Sequence, residues 1–425
     1  MEESLQSGIQ ARPARTLATE LAAQRSRWRA TAPVQGTDGT WHDPSSTAPS
    51  SFYEVYRAWK DFDFDAFLTS RTADDVARAR AARIKSPLDF LALLSPAAAE
   101  PSALEATARA AHALTERNFG RTISLFTPLY LANVCDNGCV YCGFNKGNHV
   151  SRAILTEEEI AREGAAIAAK GFHHVIILTG ESRRATPPAY IAQAAHILKD
   201  SIDSICVEVY SLTEDEYRMM ARAGVDGFTM FQETYNEDLY PALHPTGPKH
   251  DYRWRLETPE RAARAGLHSV GLGALLGLDD WRRDAFFTML HARYLIERYP
   301  GCDVAVSLPR IRPCAGQVDF HIHHPVDDAA IVQVMVALRC ALPHLGITVS
   351  TRETPAFRDD IMGLGVTKMS AGSVTEVGGH ASAAKTEGQF ETSDGRDLDT
   401  FAAAVRARGY QPVYKDWESL ARRAS

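Results

Sequence analysis

From residue 123 onward the sequence alternates short β-rich runs with helix-forming stretches, and the runs number eight. They are 123–132 (ISLFTPLYLA), 174–179 (HVIILT), 204–210 (SICVEVY), 227–232 (GFTMFQ), 269–276, 303–309 (DVAVSLP), 347–352 (ITVSTR) and 366–371. Strand–helix alternation implies a parallel sheet joined by right-handed crossovers, and eight such units close a (β/α)8 barrel of the TIM type. Two of the intervening helices open with a capping box, Thr156-x-x-Glu159 and Thr213-x-x-Glu216, in which hydroxyl and carboxylate satisfy the orphan amides of a first turn. Ahead of the barrel, segments 53–70, 72–82, 86–95 and 102–118 are Ala-rich and amphipathic, which predicts helices. The expected organisation is therefore a flexible arm over 1–51, a helical region over 52–120 packed on the barrel, and the barrel with C-terminal helices over 121–425. The arm carries Pro, Ser, Thr, Gly and Arg without apolar periodicity.

In such a barrel the chemistry gathers where the strands end. After the second run come Gly180, Glu181 and Ser182. The third carries Glu208, and the fourth ends in Gln232-Glu233-Thr234-Tyr235. The fifth carries Gly271, Gly273 and Gly277. The sixth ends in Arg310-Ile311-Arg312, the seventh in Thr351-Arg352-Glu353, and the eighth carries Ser370 and Ser373. Polar and charged groups recurring at matching ends of apolar strands favour a mouth that binds a polar, charged ligand. The bland readings are definite too. Glu181 also suits a helix cap, Glu208 an ion-paired barrel interior, and Arg310 and Arg312 ion pairs at the rim. The HIHH histidines at 321, 323 and 324 suit a solvated turn.

After the first run stands NVCDNGCVYCGFNKGNH, with Cys135, Cys139 and Cys142 spaced C-x3-C-x2-C. Zinc sites more often show paired C-x2-C units or C-x2-C with histidines, and His149 lies too far on for that pattern. Three thiolates in one tight loop suit an iron–sulfur cube, which ordinarily takes four cysteines, so one iron is left open to a substrate or cofactor. Zinc remains the second reading. The other four cysteines, Cys206, Cys302, Cys314 and Cys340, are scattered and read as core residues.

Composition bounds the partners. A formal net charge of −7 argues against general affinity for nucleic acid or anionic lipid. No apolar run approaches the ~20 residues of a membrane span. Acids at once in MEESLQSGIQ and the lack of an apolar core disfavour a secretory signal. With an odd cysteine count, this points to a reducing, cytoplasmic setting.

C-x3-C-x2-C after the first barrel strand, with Tyr141 and Gly143 in the loop, resembles the radical S-adenosylmethionine (SAM) superfamily. The resemblance narrows through PLYLANVCDNGCVYCGF, ILTGES, MFQETYNEDLY, WRLETPERAARAGL, VGLGALLGL, SLPRIRP, STRETPAFRD, KMSAGS and PVYKDWES. In that order, from about residue 53 to the C-terminus, they are similar to the 2-iminoacetate synthase family, the tyrosine lyases of bacterial thiamine biosynthesis. The hydrogenase-maturing tyrosine lyases share the first reaction but add a C-terminal domain with a second cluster, for which no cysteine set is seen here. The tryptophan lyases share fewer of the motifs. A non-catalytic, zinc-stabilised barrel is the alternative from another class.

The resemblance implies a 4Fe-4S cluster on Cys135, Cys139 and Cys142, with SAM on the open iron and a 5′-deoxyadenosyl radical as the hydrogen-abstracting species. It implies that Tyr141, Gly180, Glu181, Glu208 and Arg255 contact the cofactor. It places Arg352 and Ser370 on the carboxylate of L-tyrosine, Tyr130 near the amine, and Arg310 and Glu233 in the catalytic constellation. Cleavage of Cα–Cβ would give 2-iminoacetate and p-cresol. A flavodoxin- or ferredoxin-type electron donor and a thiazole synthase are the implied protein partners. His380 stands where relatives are expected to carry tyrosine.

Overall fold

The computed structural model describes residues 34–35, 41–42, 51–312, 322, 324–381 and 383–415. Most of the 1–51 arm, Cys314, His321, His323 and the KDW segment from residue 416 lie outside the described residues. Within the arm, Val34–Gln35 pairs antiparallel with Trp41–His42.

Two compact units divide after Phe62. In the first, Phe52–Trp59 forms one helix with Ser51 at its N-cap position, and the Trp59 ring meets Phe62 edge-on at 5.5 Å. The single helix expected over 53–70 is therefore two. Phe64–Thr69 starts afresh because the Asp63 carboxylate accepts from Ala66 N at 2.9 Å and caps a new first turn. In the second unit, capping boxes at Thr72/Asp75 and Ser86/Asp89 start Ala73–Ala81 and Pro87–Ala92. Helix α1 (Pro101–Phe119) ends at Gly120, whose φ of +65° is open to glycine without strain.

Eight parallel strands then follow: β1 (Thr122–Ala132), β2 (His174–Thr179), β3 (Ser204–Glu208), β4 (Gly227–Glu233), β5 (Ser269–Ala274), β6 (Asp303–Ser307), β7 (Gly346–Val349) and β8 (Lys368–Ser370). Each pairs with the next, and β8 returns to β1 with Ser370 opposite Phe126, so the barrel closes as expected. The helices between them include α2 (Glu157–Ala169), α3 (Pro188–Leu198), α4 (Glu214–Ala223), α5 (Thr258–Arg264), α6 (Trp281–Arg298), α7 (Asp328–Ala341), α8 (Pro355–Ile361) and, after β8, α9 (Leu398–Ala407). Both expected capping boxes form at the starts of α2 and α4. A ninth strand, β9 (Gln411–Val413), pairs with Thr122–Ser124 at the start of β1. Its three residues include a proline, so it carries no strand pattern.

The period-2 alternation of the strands sorts two environments. Ile123, Leu125, Leu129 and Leu131 of β1, Val175 and Ile177 of β2, Ile205 and Val207 of β3 and Ile347 of β7 are fully buried on the outer face, towards the helices. Each such aliphatic contributes about 1.5–3 kcal/mol by leaving water. The inner face reads differently: Ser124, Phe126, Pro128 and Tyr130 of β1, Cys206 and Glu208 of β3, Thr229 of β4, Gly271 of β5, Ser307 of β6 and Ser370 of β8 line an internal cavity of about 390 Å³. An inner face that mixes Phe126, Tyr130, Ile176, Leu178 and Phe231 with serines, a glycine and Glu208 does not fill itself with the interlocking aliphatic layers usual in barrels of this type. The bulk of the apolar burial sits outside the strands, and the inside stays open for a ligand.

Candidate active site

β1 runs directly into the cysteine loop, which neighbouring strand ends hold in place. Asp136 N donates to Glu181 O (2.8 Å), Gly138 N to Thr246 O (2.9 Å) and Val140 N to Leu243 O (3.1 Å). Residue 180 must be glycine for the loop to lie this close, because a Cβ there would stand 2.3 Å from Val134 O. Glu181 does not cap a helix: α3 begins later, behind Pro187, and Glu181 Oε2 instead accepts from Asn137 Nδ2 at 2.6 Å. Asn137 Oδ1 in turn accepts from Lys249 N at 2.9 Å.

The Tyr141 hydroxyl lies 2.7 Å from His244 Nε2, and His244 Nδ1 lies 2.9 Å from Tyr240 O. A carbonyl only accepts, so Nδ1 carries the hydrogen and Nε2 accepts from Tyr141. Burial pushes the His244 imidazole down to about 2, aided by the charges of Lys249 and Arg255, so it stays neutral.

The three thiols gather around one region. Cys135 and Cys142 rest against a wall that includes Tyr130, Phe144, Leu178 and Cys206, while Cys139 belongs with Tyr141, Leu275 and Ile311 to a second cluster that Cys142 also touches. Burial raises the Cys135 thiol and pushes the Cys139 thiol up to about 12. Two side-chain amides nonetheless aim N–H groups at sulfur: Asn137 Nδ2 at Cys135 Sγ (3.7 Å) and Gln389 Nε2 at Cys142 Sγ (3.6 Å). Such donors match thiolates that a metal centre holds ionised. Three cysteine thiols in one loop, two of them facing amide N–H groups, fit the residues an iron–sulfur unit would use.

At the end of β4, Glu233 takes a φ of +74°, which no other non-glycine among the described residues shares in sign. Its surroundings hold this unfavourable conformation. The β4–β5 register shifts there, Leu275 N donates to Glu233 O (2.8 Å), and Asp284 Oδ1 accepts from Tyr235 N (2.7 Å) and Thr234 Oγ1 (3.1 Å). The twist aims the Glu233 carboxylate at Lys249 Nζ (2.5 Å) and Arg255 Nη2 (3.2 Å). Burial works to raise the Glu233 carboxyl, but the two cations outweigh it and hold it below the usual carboxylate range. Arg255 is anchored further by Nε donating to Phe231 O at 2.8 Å.

Across the cavity the Arg352 guanidinium lies 3.4 Å from the centroid of the Phe390 ring. Among the described residues it makes no ion pair and no side-chain hydrogen bond. Glu208 shares the cavity and is likewise without a side-chain hydrogen bond or ion pair. Burial pushes its carboxyl up to about 7, against the pull of Arg352. Ser370 Oγ accepts from Thr351 N at 3.0 Å, beside Arg352 in sequence, and the Tyr130 hydroxyl donates to Gln389 Oε1 at 2.7 Å.

Arg310 is placed otherwise. Its Nε lies 3.1 and 3.0 Å from the two Glu353 oxygens, Nη2 reaches Glu353 and Asp328, and Nη1 donates to Val326 O (3.0 Å). It forms a rim lock and does not line the cavity, whereas Tyr130, Glu208, Arg352 and Ser370 do. His380 is buried, its Nε2 lying 2.9 Å from Pro128 O behind the cavity wall. Asn137, Lys249, Gln389 and Phe390 were not anticipated. Asn137 lies inside the cysteine motif and was within reach of inspection. The other three carry no local signal.

Residues 129–290 match the Radical SAM superfamily, and residues 307–411 match the Biotin and Thiamin Synthesis associated domain. The 2-iminoacetate synthase of Escherichia coli (strain K12) is 41% identical over 371 residues, which is 86% of this chain and 97% of that protein. The chain belongs to the 2-iminoacetate synthase family. The family's enzyme from Salmonella typhimurium is 40% identical over the same length. Among solved structures, the FeFe-hydrogenase maturase HydG superposes with a TM-score of 0.77 at 31% identity, covering 84% of this chain and 80% of its own. The higher identity and fuller coverage set the family apart from the maturase. Membership in the radical SAM superfamily implies a 4Fe-4S cluster and SAM. No described helix is long and apolar enough to cross a membrane.

Proposed function

We propose that this chain cleaves the Cα–Cβ bond of L-tyrosine to 2-iminoacetate and p-cresol, with 5′-deoxyadenosine and methionine arising from SAM, for assembly of the thiamine thiazole. The observation that carries this reading is Arg352: a half-buried cation with no carboxylate within ion-pair distance among the described residues, stacked on Phe390 in a cavity that Tyr130 and Glu208 also line. Such a group asks for a carboxylate from outside the chain, and arginine's planar fork binds one through two parallel hydrogen bonds. When bound on Cys135, Cys139 and Cys142, a 4Fe-4S cluster with one open iron and its SAM supply the electron and the hydrogen-abstracting group.

The residues of the chain do the positioning. Arg352 and Ser370 take the carboxylate of tyrosine and fix which end faces the cysteine loop. Tyr130 stands beside the amine, and Glu208 supplies negative charge opposite Arg352. Gly180, Glu181, Tyr141 and Arg255 form the cofactor's side of the mouth. Glu233 holds Arg255 and Lys249 in line, and Arg310 acts through Glu353 to set the turn that carries Arg352. Correct placement is the main service an enzyme gives to hydrogen abstraction, and the apolar wall of Phe126, Phe144 and Leu178 keeps water from the imine. The reading includes a flavodoxin- or ferredoxin-type donor, a thiazole synthase as recipient of the imine, and a cytoplasmic setting. It also keeps the division into an arm through residue 51, a helical region through 120 and the barrel.

The test is anaerobic reconstitution to ~4 irons per chain, followed by tyrosine, SAM and reductant, with p-cresol and 5′-deoxyadenosine quantified. Turnover of tryptophan in place of tyrosine would reassign the substrate. Colourless protein holding zinc would overturn the reading.

A further inference from the structure

The stretch Glu387–Phe390 lies in irregular chain after β8, yet it touches both the cysteine loop and the cavity. Glu387 Oε2 accepts from Ser151 N (2.8 Å), beyond the cysteine loop. Gln389 N donates to Thr375 O (3.1 Å), and Gln389 O lies against Gly143, where a Cβ would stand 2.6 Å away. Gln389 Nε2 points at Cys142 Sγ (3.6 Å) while its Oε1 accepts from Tyr130 (2.7 Å). The next residue, Phe390, carries the Arg352 guanidinium on its ring. Two consecutive positions, Gln389 and Phe390, thus meet the cysteine loop, the cavity tyrosine and the arginine without an ion pair.

We propose that Gln389 is a positioning residue that ties occupancy of the amino-acid site to the electronic state of the iron–sulfur site. The inference rests on the reading above, in which Cys142 is a cluster ligand and Arg352 the carboxylate clamp. A ligating thiolate only accepts hydrogen bonds, so the Gln389 amide must turn its NH₂ to Cys142, which leaves its carbonyl for the Tyr130 hydroxyl. The two bonds enforce one another. A carboxylate bound to Arg352 fixes the guanidinium over Phe390, and the peptide link passes that restraint to Gln389. An N–H···S hydrogen bond withdraws charge from sulfur and favours the reduced cluster. Tyrosine therefore tightens the strap and makes the cluster easier to reduce, so that electrons enter when there is substrate to use them.

The experiment is an EPR-monitored redox titration of the reconstituted full chain with SAM, with and without tyrosine, for wild type and for Gln389→Leu, Gln389→Glu and Phe390→Leu. In the wild type, tyrosine should raise the midpoint potential. Gln389→Leu should lower the basal potential and abolish the tyrosine-induced shift. Gln389→Glu should do the same while still accepting from Tyr130, which separates the N–H···S bond from packing. Phe390→Leu should keep the basal potential and lose only the shift. A wild-type potential that tyrosine does not move, or Gln389 variants with an unchanged potential, would overturn the proposal. If Gln389→Leu does not fold, the wild-type shift and Phe390→Leu decide. A wild-type chain that takes up no 4Fe-4S cluster or leaves tyrosine uncleaved points instead to failure of the functional reading.

Discussion

Replacing Arg352 by alanine should separate substrate binding from every other property of the protein. The side chain is held in the cavity by stacking on Phe390 and meets no protein carboxylate within ion-pair distance. Its removal takes a cation from the cavity it shares with Glu208, whose carboxyl burial already raises to about 7 and which can take up a proton. The lost stacking, about 0.5–2 kcal/mol, is offset by relief of a desolvated charge, so thermal stability should barely change. For bound tyrosine the position is reversed, because the substrate carboxylate would be buried without its partner. Truncating one member of a buried, hydrogen-bonded charge pair costs about 2–5 kcal/mol. At 1.4 kcal/mol per decade, that lowers kcat/KM for tyrosine by roughly 30- to 4,000-fold. The assay measures p-cresol and 5′-deoxyadenosine across tyrosine concentrations, beside iron content and the visible spectrum of each preparation. Arg352→Lys, which keeps the charge but loses the fork, should fall between. A loss below about tenfold, or 1.4 kcal/mol, with full iron content would refute the clamp.

Three further outcomes follow from neighbouring features. Arg358 is fully buried, paired with a fully buried Asp394, and also donates to Ser370 O; since Arg396 still pairs Asp394, Arg358→Met should destabilise the fold by about 1–3 kcal/mol through the bonds lost, and an unchanged urea midpoint would reject this. Gly180→Ala drives a Cβ into the Val134 carbonyl and should lower iron uptake by displacing the cysteine loop, so a fully loaded variant would contradict the close-approach argument. Burial raises the Glu208 carboxyl from 4.5 to about 7, so the folded state binds its proton more tightly than the unfolded chain does. Its contribution to stability is complete below about pH 4.5 and is lost as pH rises through about 7. Glu208→Gln should flatten that segment of the stability–pH curve in urea titrations, and a curve identical to wild type would show that the carboxyl is not shifted.

The barrel was legible because its strands had to be. Outer-face positions such as Ile123, Leu125, Ile205 and Val207 must be apolar to bury against helices, and β-branched runs of that length read as strands without knowledge of their partners. The cysteine spacing and the strand-end residues were legible for a related reason: each announces its chemistry within a few positions. Lys249, Gln389 and Phe390 were not, since what matters about them is a contact with a residue distant along the chain, more than a hundred positions for Lys249 N to Asn137 and Gln389 to Cys142. The strain at Glu233 belongs to a register shift between β4 and β5, which no single run records. The ion pairs of Arg310 were not legible either, because charge at a strand end is ambiguous until its partner, Glu353, is seen. The helix over 53–70 failed at Asp63, where amphipathic periodicity masked a cap.

The closure of β1 has a consequence for how the protein is made. β1 leaves the ribosome first among the barrel strands, but its partners β8 and β9 are made near the end, and Gln389 follows Cys142 by 247 residues. At about 5–20 residues per second, that interval lasts about 12–50 s. Throughout it, three thiols stand on a nascent chain with neither the strap nor the closing strands in place. The strap and the closing strands therefore join the cysteine loop only once that last stretch of chain has been made.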